Sequence, residues 1–184
     1  SFENSSNFID QIYISDRKNN TAVYNADYKH NFAKQGHYIE LEVDHNTYTG
    51  SETTDFSFNT ENFTNDYTDI IDDQRTNTTI NLDFENPISE KTLIQLGAEA
   101  RIQNIDNSYQ STNVNFNNSE YSYDRDIYSV YGTYKQELGT WSYQVGARLE
   151  HYEVKGDFRP SDEVNSLFTD EIFTVYPSLF IAYA

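Results

Sequence analysis

From Trp141 to Val154 the chain alternates without a break. Trp141, Tyr143, Val145, Ala147, Leu149 and His151 fall on one side of an extended backbone, and Ser142, Gln144, Gly146, Arg148, Glu150 and Tyr152 on the other. Period-two patterning over such a length marks a long strand with two unlike faces. The pattern recurs. Residues 21–32 set Ala22, Tyr24, Ala26, Tyr28, His30 and Phe32 against Thr21, Val23, Asn25, Asp27, Lys29 and Asn31, and residues 37–49 set Ile39, Leu41 and Val43 against Glu40, Glu42 and Asp44. Residues 75–85 and 91–105 repeat it, with Ile80, Leu82 and Phe84 in the first and Ile94, Leu96, Ala98, Ala100 and Ile102 in the second. Residues 125–136 carry Tyr128, Val130, Gly132 and Tyr134 on their apolar side, and 171–184 form a last strand. Pro177 cannot donate to a ladder and predicts a bulge or a strand start there.

The connections order these strands. Ala33-Lys34-Gln35-Gly36, the stretch Asn86 to Glu90 and the stretch Glu137 to Thr140 read as short turns, with Gly36 suited to positive φ and Pro87 fixing its own. Residues 50–74, 106–124 and 155–170 read as long polar loops, the first with a weaker alternating piece at 54–58 that would extend a strand. Short and long connections thus alternate, and Phe32, Phe84, Tyr134, Trp141 and Tyr143 gather on the apolar faces beside the short ones. The expectation is an all-β, antiparallel up-and-down meander of about seven long strands, residues 1–184 forming part of a larger transmembrane β-barrel. Tight turns would face the periplasm, long loops would lie outside, and the aromatic rings would sit at headgroup level as a girdle.

Composition agrees with strands and closes off other classes. Tyr contributes 16 residues and Phe 12, which suit pleated surfaces. A formal net charge of −18 argues against nucleic acid, which needs clustered Lys and Arg. The absence of Cys removes disulfides, thiolate chemistry and the common zinc motifs. No apolar run approaches the roughly 20 residues of a membrane helix, so any crossing must be made by strands closed into a barrel. A chain without Met or a targeting segment reads as a mature protein or an internal fragment, and seven strands, unable to close an even-numbered barrel, favour the fragment.

Residues 128–158, YSVYGTYKQELGTWSYQVGARLEHYEVKGDF, followed by Tyr176-Pro177-Ser178-Leu179-Phe180-Ile181-Ala182-Tyr183, resemble the barrel region of TonB-dependent receptor-like outer-membrane proteins of Bacteroidota type. The resemblance rests on a Tyr-rich strand, a short turn, a Gln-x-Gly-x-Arg-x-Glu strand and an aromatic-Pro-Ser-aliphatic strand, in that order. It covers the last third of the chain. It implies a barrel of about 22 strands with a plugged lumen, taking up an extracellular nutrient or chelate captured by the long loops. Its partners would be outer-membrane lipid, the remaining strands and plug of a parent chain, and an energy-coupling periplasmic protein.

In that setting Glu40, Glu42, Glu99, Arg101, Arg148 and Glu150 are expected to face the lumen, where ordinary hydration is the simpler role for each. Asp66, Asp69, Asp72 and Asp73 form the densest acidic cluster and offer oxygen ligands for calcium, but they lack the Gly and terminal Glu of a calcium hand. A solvated loop is the simpler account of them, and no metal site is expected. His30, His37, His45 and His151 all fall on apolar phases outside any metal motif, and Ser142 and Ser178 lie on the opposite phase from His151. With no Gly-x-Ser-x-Gly elbow or phosphate-binding Gly-rich loop, no enzyme and no cofactor is expected. The competing architecture is a secreted or surface β-sandwich, adhesin-like, that buries the same apolar faces beneath a second sheet and binds glycans or proteins through its Tyr- and Asn-rich loops.

Overall fold

A computed structural model describes residues 9–61 and 63–183; Ala184, the expected end of the last strand, lies outside them. Seven antiparallel strands follow in chain order: β1 (Ile9–Asn31), β2 (Tyr38–Thr60), β3 (Phe63–Ser89), β4 (Thr92–Ser111), β5 (Ser119–Leu138), β6 (Trp141–Pro160) and β7 (Ser166–Tyr183). They form one sheet in the order β1 to β7, each strand paired with its sequence neighbour. Among the described residues there is no second sheet, so the sandwich architecture lacks its other layer. The sheet is open, with β1 and β7 each paired on one side only.

The strands are far longer than the sequence pattern suggested. They run 23, 23, 27, 20, 20, 20 and 18 residues from β1 to β7, against about 9–11 for a tilted membrane crossing. Residues 50–74 are therefore not a loop: β2 continues to Thr60, Glu61 sits in the turn, and β3 starts at Phe63. The other two expected loops contract to 112–118 and 161–165. The connections do not alternate by length; they alternate by their distance from the apolar stretch of the strands. Polar sequence concealed these extensions, since a strand solvated at its tip needs no apolar side chains to pair its backbone.

Aromatic pairs hold the longest projection instead. Tyr13 faces Phe56 and Phe56 faces Tyr67 in register, with Phe56 and Tyr67 stacked at 4.7 Å. Phe116 closes on Tyr67 at 5.7 Å. The Thr112 amide donates to the Thr68 carbonyl at 3.0 Å, tying the 112–118 connection to β3.

At the other end, Gly36 and Gly139 adopt φ of 77° and 63°, the left-handed turn conformation that glycine takes without strain. Pro87 is not in a turn: β3 carries on to Ser89, with a register shift between Pro87 and Ser89, and Glu90-Lys91 makes the bend. Pro177 sits within β7 opposite Ala147, without the bulge or strand start expected of it. β7 is an edge strand here, where a residue lacking N–H disturbs the ladder least.

The register sorts every strand onto two faces. Rows such as Leu41–Leu82–Ala98–Val130–Leu149–Val175 make an apolar face. Rows such as Glu42–Asn81–Glu99–Ser129–Glu150 make a polar one. The apolar face is the open one: Val130 is 53% exposed and Leu179 65%, whereas Ser129 on the polar face is 4% exposed. With neither face covered, this asymmetry means the sheet curls toward its polar side.

Farther from the short turns the faces exchange character. On the outer face Tyr128, His151 and Phe173 give way to Asp126, Glu153 and Glu171, while on the inner face Ile127 and Val154 become the buried residues. If the aromatic ladder braces the projecting hairpin, Tyr67→Ala will cost about 0.5–1.5 kcal/mol there. Hydrogen exchange should show faster exchange of residues 54–68 and unchanged protection of 80–84; uniform protection would contradict this account.

Candidate functional site

The inner face of β4, β5 and β6 carries an ordered charge lattice. Register places Glu99, Ser129 and Glu150 side by side, with Gly97, Tyr131 and Arg148 in the adjacent row. Two carboxylates on one face repel unless a cation joins them, and the planar fork of Arg148 does so. It donates to Glu99 Oε1 at 2.9 Å and Ser129 Oγ at 2.8 Å through Nη2, and to Glu150 Oε2 at 3.2 Å through Nε. Arg101 adds a second bridge, 2.7 Å to Glu99 and 3.7 Å to Glu150. The Ser129 hydroxyl also donates to Glu150 at 3.2 Å. Glu99, Arg148 and Glu150 are between 19% and 28% exposed, partly desolvated by one another.

A glycine extends this lattice sideways. The Tyr131 ring lies across Gly97, where an added Cβ would come within 2.2 Å of the ring. That passage lets the Tyr131 hydroxyl donate to Asp83 Oδ1 at 2.6 Å, one strand beyond its own neighbour. The Arg148 guanidinium stands 5.4 Å from the same ring centroid. Three strands are thereby tied through side chains as well as backbone.

The β1–β2 portion of the inner face is less balanced. Lys29 pairs with Glu40 at 2.8 Å and lies 3.9 Å from the Tyr38 ring centroid. Asp27, Glu40 and Glu42 bring carboxylate oxygens within 4.8 Å of one another, an arrangement able to attract a cation. Glu40 is the member paired by Lys29.

All six expected charges lie on this polar face, but in two groups: Glu40 and Glu42 on β2, and Glu99, Arg101, Arg148 and Glu150 across β4 and β6. Phe32, Phe84, Tyr134, Trp141 and Tyr143 lie at the short-turn end of the apolar face. Tyr134 is 6.3 Å from Tyr143, and Phe32 and Phe84 are joined through His37 at 4.1 and 5.4 Å. Tyr183, 4.9 Å from Trp141, joins the group although sequence reasoning left it out. Its odd phase, shared with Val175 and Leu179, was the available signal.

The acidic group 66–73 does not converge. Register puts Asp66 and Asp72 on the outer face and Asp69 and Asp73 on the inner one, so strand alternation separates the four carboxylates. Asp73 pairs with Arg75. Burial, together with the neighbouring Asp69 carboxylate, pushes the Tyr109 phenol above its ordinary range. His151 lies between Tyr128 and Phe173 on the outer face, and Ser142 and Ser178 on the inner. Sequence reasoning also missed Ser129, Tyr131 and Asp83. A glycine directly opposite a tyrosine was the one hint, legible only with the register known.

An antiparallel meander with an apolar outer face, a charged inner face and strands exceeding a bilayer crossing is the wall of a transmembrane β-barrel. The chain belongs to the outer membrane protein beta-barrel family, whose model matches residues 30–184, and its place is the bacterial outer membrane. No curated protein matches it in sequence. In fold it is similar to the ferric yersiniabactin uptake receptor FyuA from Yersinia pestis, with a TM-score of 0.52 at 10% identity over 80% of this chain and 26% of that one. The siderophore receptor PiuA from Acinetobacter baumannii gives a TM-score of 0.52 at 12% identity, over 91% of this chain and 30% of that one. The chain thus spans about a third or less of those receptors.

Arg148→Ala leaves Glu99 and Glu150 with Arg101 as their remaining shared cation. Partial exposure limits the cost to about 1–2 kcal/mol, and Arg148→Ala combined with Glu99→Gln should recover part of it. Gly97→Ala should lift Tyr131 off β4 and lose about 1 kcal/mol with the Asp83 bond. Denaturant unfolding of the parent protein in lipid bilayers measures all three; strictly additive losses at 99 and 148 would contradict the lattice.

Proposed function

We propose that this chain is part of the barrel wall of a receptor that takes up an extracellular nutrient or metal chelate through a gated lumen, with energy supplied from a periplasmic coupling protein of the TonB type. The observation that carries the reading is the inner-face lattice, in which charges are fixed in pairs along a wall that the outer face turns toward lipid. A polar, partly desolvated wall of this kind suits a lumen filled by a plug and water. The fold similarity to two receptors of siderophores is in keeping with it. In this reading Glu40, Glu42, Glu99, Arg101, Arg148 and Glu150 line the lumen, and Phe32, Phe84, Tyr134, Trp141 and Tyr143 ring the periplasmic headgroup level. Its partners are the remaining strands and plug of the parent chain.

Two measurements test this. Leu149 on the outer face should meet acyl chains about half a bilayer from the aromatic girdle, so Leu149→Arg costs about 2–4 kcal/mol, while Gln144→Arg, pointing inward, stays within about 0.5 kcal/mol. Equal tolerance at both positions, in unfolding from bilayers, would remove the assignment of faces. Uptake by cells bearing the parent protein, screened with radiolabelled chelates and oligosaccharides, should stop when a protonophore collapses the inner-membrane gradient, while surface binding persists. Binding without any gradient-dependent uptake would make the protein an adhesin instead.

A further inference from the structure

We propose that Gly156, between Tyr123 and Phe168, is the floor of a stacking subsite on the inner face that holds one ring of a neutral oligosaccharide. The inference deepens the receptor reading: it rests on that reading for the placement of this face in the lumen, and it names the class of nutrient. Register sets Tyr123 on β5, Gly156 on β6 and Phe168 on β7 side by side. Their row lies past the apolar band of the outer face and just beyond Val154, which is 3% exposed and closes the slot from below.

Two other glycines of this face show what is distinctive about Gly156. A Cβ on Gly50 would strike the Tyr48 hydroxyl at 2.6 Å, and one on Gly97 the Tyr131 ring at 2.2 Å, so a ring of the chain itself roofs each bare stretch of backbone. A Cβ on Gly156 would meet nothing within 4 Å, although aromatic residues stand on both neighbouring strands. Tyr123 is hydrogen-bonded with Tyr152, which keeps its ring from swinging across the gap. Adjacent strands lie about 4.7–4.9 Å apart, so β5 and β7 are about 9.5 Å from each other, against about 7–8 Å for a ring in contact with another on each side. The gap therefore takes one ring. Phe168 is 57% exposed, and Phe158, one row farther out on β6, is 42% exposed, so the entrance is apolar too.

Charge selects the class of ring. Arg17 and Arg75, farther round this face, are taken up by Glu52 and Asp73. Arg125 and Asp170 share the row beneath the slot, on either side of Val154, one charge of each sign. The connections 112–118 and 161–165 hold no Lys or Arg, and the second holds Asp162 and Glu163. A mouth without surplus positive charge disfavours chelates bearing carboxylate or catecholate groups and admits a neutral ligand. Aromatic side chains offer rigid contact area at low entropic cost to the C–H faces of a sugar ring. Arg125 and Asp170 supply a donor and an acceptor for its hydroxyl edge.

The test applies the full parent protein in nanodiscs to a printed array of neutral, sialylated and sulfated glycans, then titrates it in solution with the best-bound neutral glycan and with ferric citrate. Neutral glycans should bind, and ferric citrate should not. Phe168→Ala should weaken the best neutral glycan by about threefold to tenfold, the size of one ring contact, and Phe168→Tyr should restore it. Gly156→Phe fills the slot from within and should abolish binding, whereas Gly156→Ala, with open space around its Cβ, should melt as the parent does. Should Gly156→Phe fail to give a β spectrum, the exposed Phe168 decides the matter. Preference for sialylated or sulfated glycans, or no neutral glycan bound, overturns the proposal, as does binding unchanged in folded Gly156→Phe or in Phe168→Ala. Neutral glycan bound through the slot but never taken up by energised cells would keep the subsite and overturn the receptor reading. Gradient-dependent uptake of ferric citrate with no glycan bound would do the reverse.

Discussion

A bilayer interior offers no hydrogen-bond partner to a peptide group, so every N–H and C=O that crosses it must find one within the protein. The ladders from β1 to β7, interrupted only by the shift between Pro87 and Ser89 beside a turn, meet that condition for all the inner strands. They also explain why strand length is not limited by apolar sequence. Once a ladder is established through the membrane, it continues into water at little cost as long as side chains can pair across it. The Tyr13–Phe56–Tyr67 row shows the means, with rings doing at the tip what hydrocarbon does lower down.

Curvature toward the polar face then sets the two environments apart. Inside the curl, charges crowd one another and lose water, so they are held as a lattice in which Arg148 serves Glu99, Ser129 and Glu150 at once. Outside it, Val130 and Leu179 remain open, as residues that meet solvent hydrocarbon must. The exchange of polarity beyond the membrane band follows from the same logic. Where water replaces lipid outside, the curl encloses Ile127 and Val154 in the manner of a soluble sheet, and Asp126, Glu153 and Glu171 take the outer positions.

Much of this was legible in the order of residues, because strand phase is a local property. Trp141 to Tyr152 declares its faces without help from any other segment, and Gly36 and Gly139 mark their turns through backbone geometry alone. Of the extensions at 50–74 only the piece at 54–58 was legible, since Thr, Ser, Asn and Asp carry no phase when both faces of a strand are wet. The acidic group at 66–73 could not be placed for a related reason: closeness along the chain suggests a cluster, but a strand sends neighbours to opposite sides. Tyr131 and Asp83 were invisible as partners because they are 48 positions apart and meet only across Gly97.

The sequence by itself determined which side chains share a face in the apolar-patterned segments, that Gly36 and Gly139 mark turns, and that any membrane crossing must be made by strands. Those follow from dihedral preference and period, which need no distant partner. Tertiary structure decided how far the strands project, which charges meet, and which way the sheet curls. Each of these depends on register between segments far apart in the chain, and a shift of a single residue in that register would place every side chain of a strand on the opposite face.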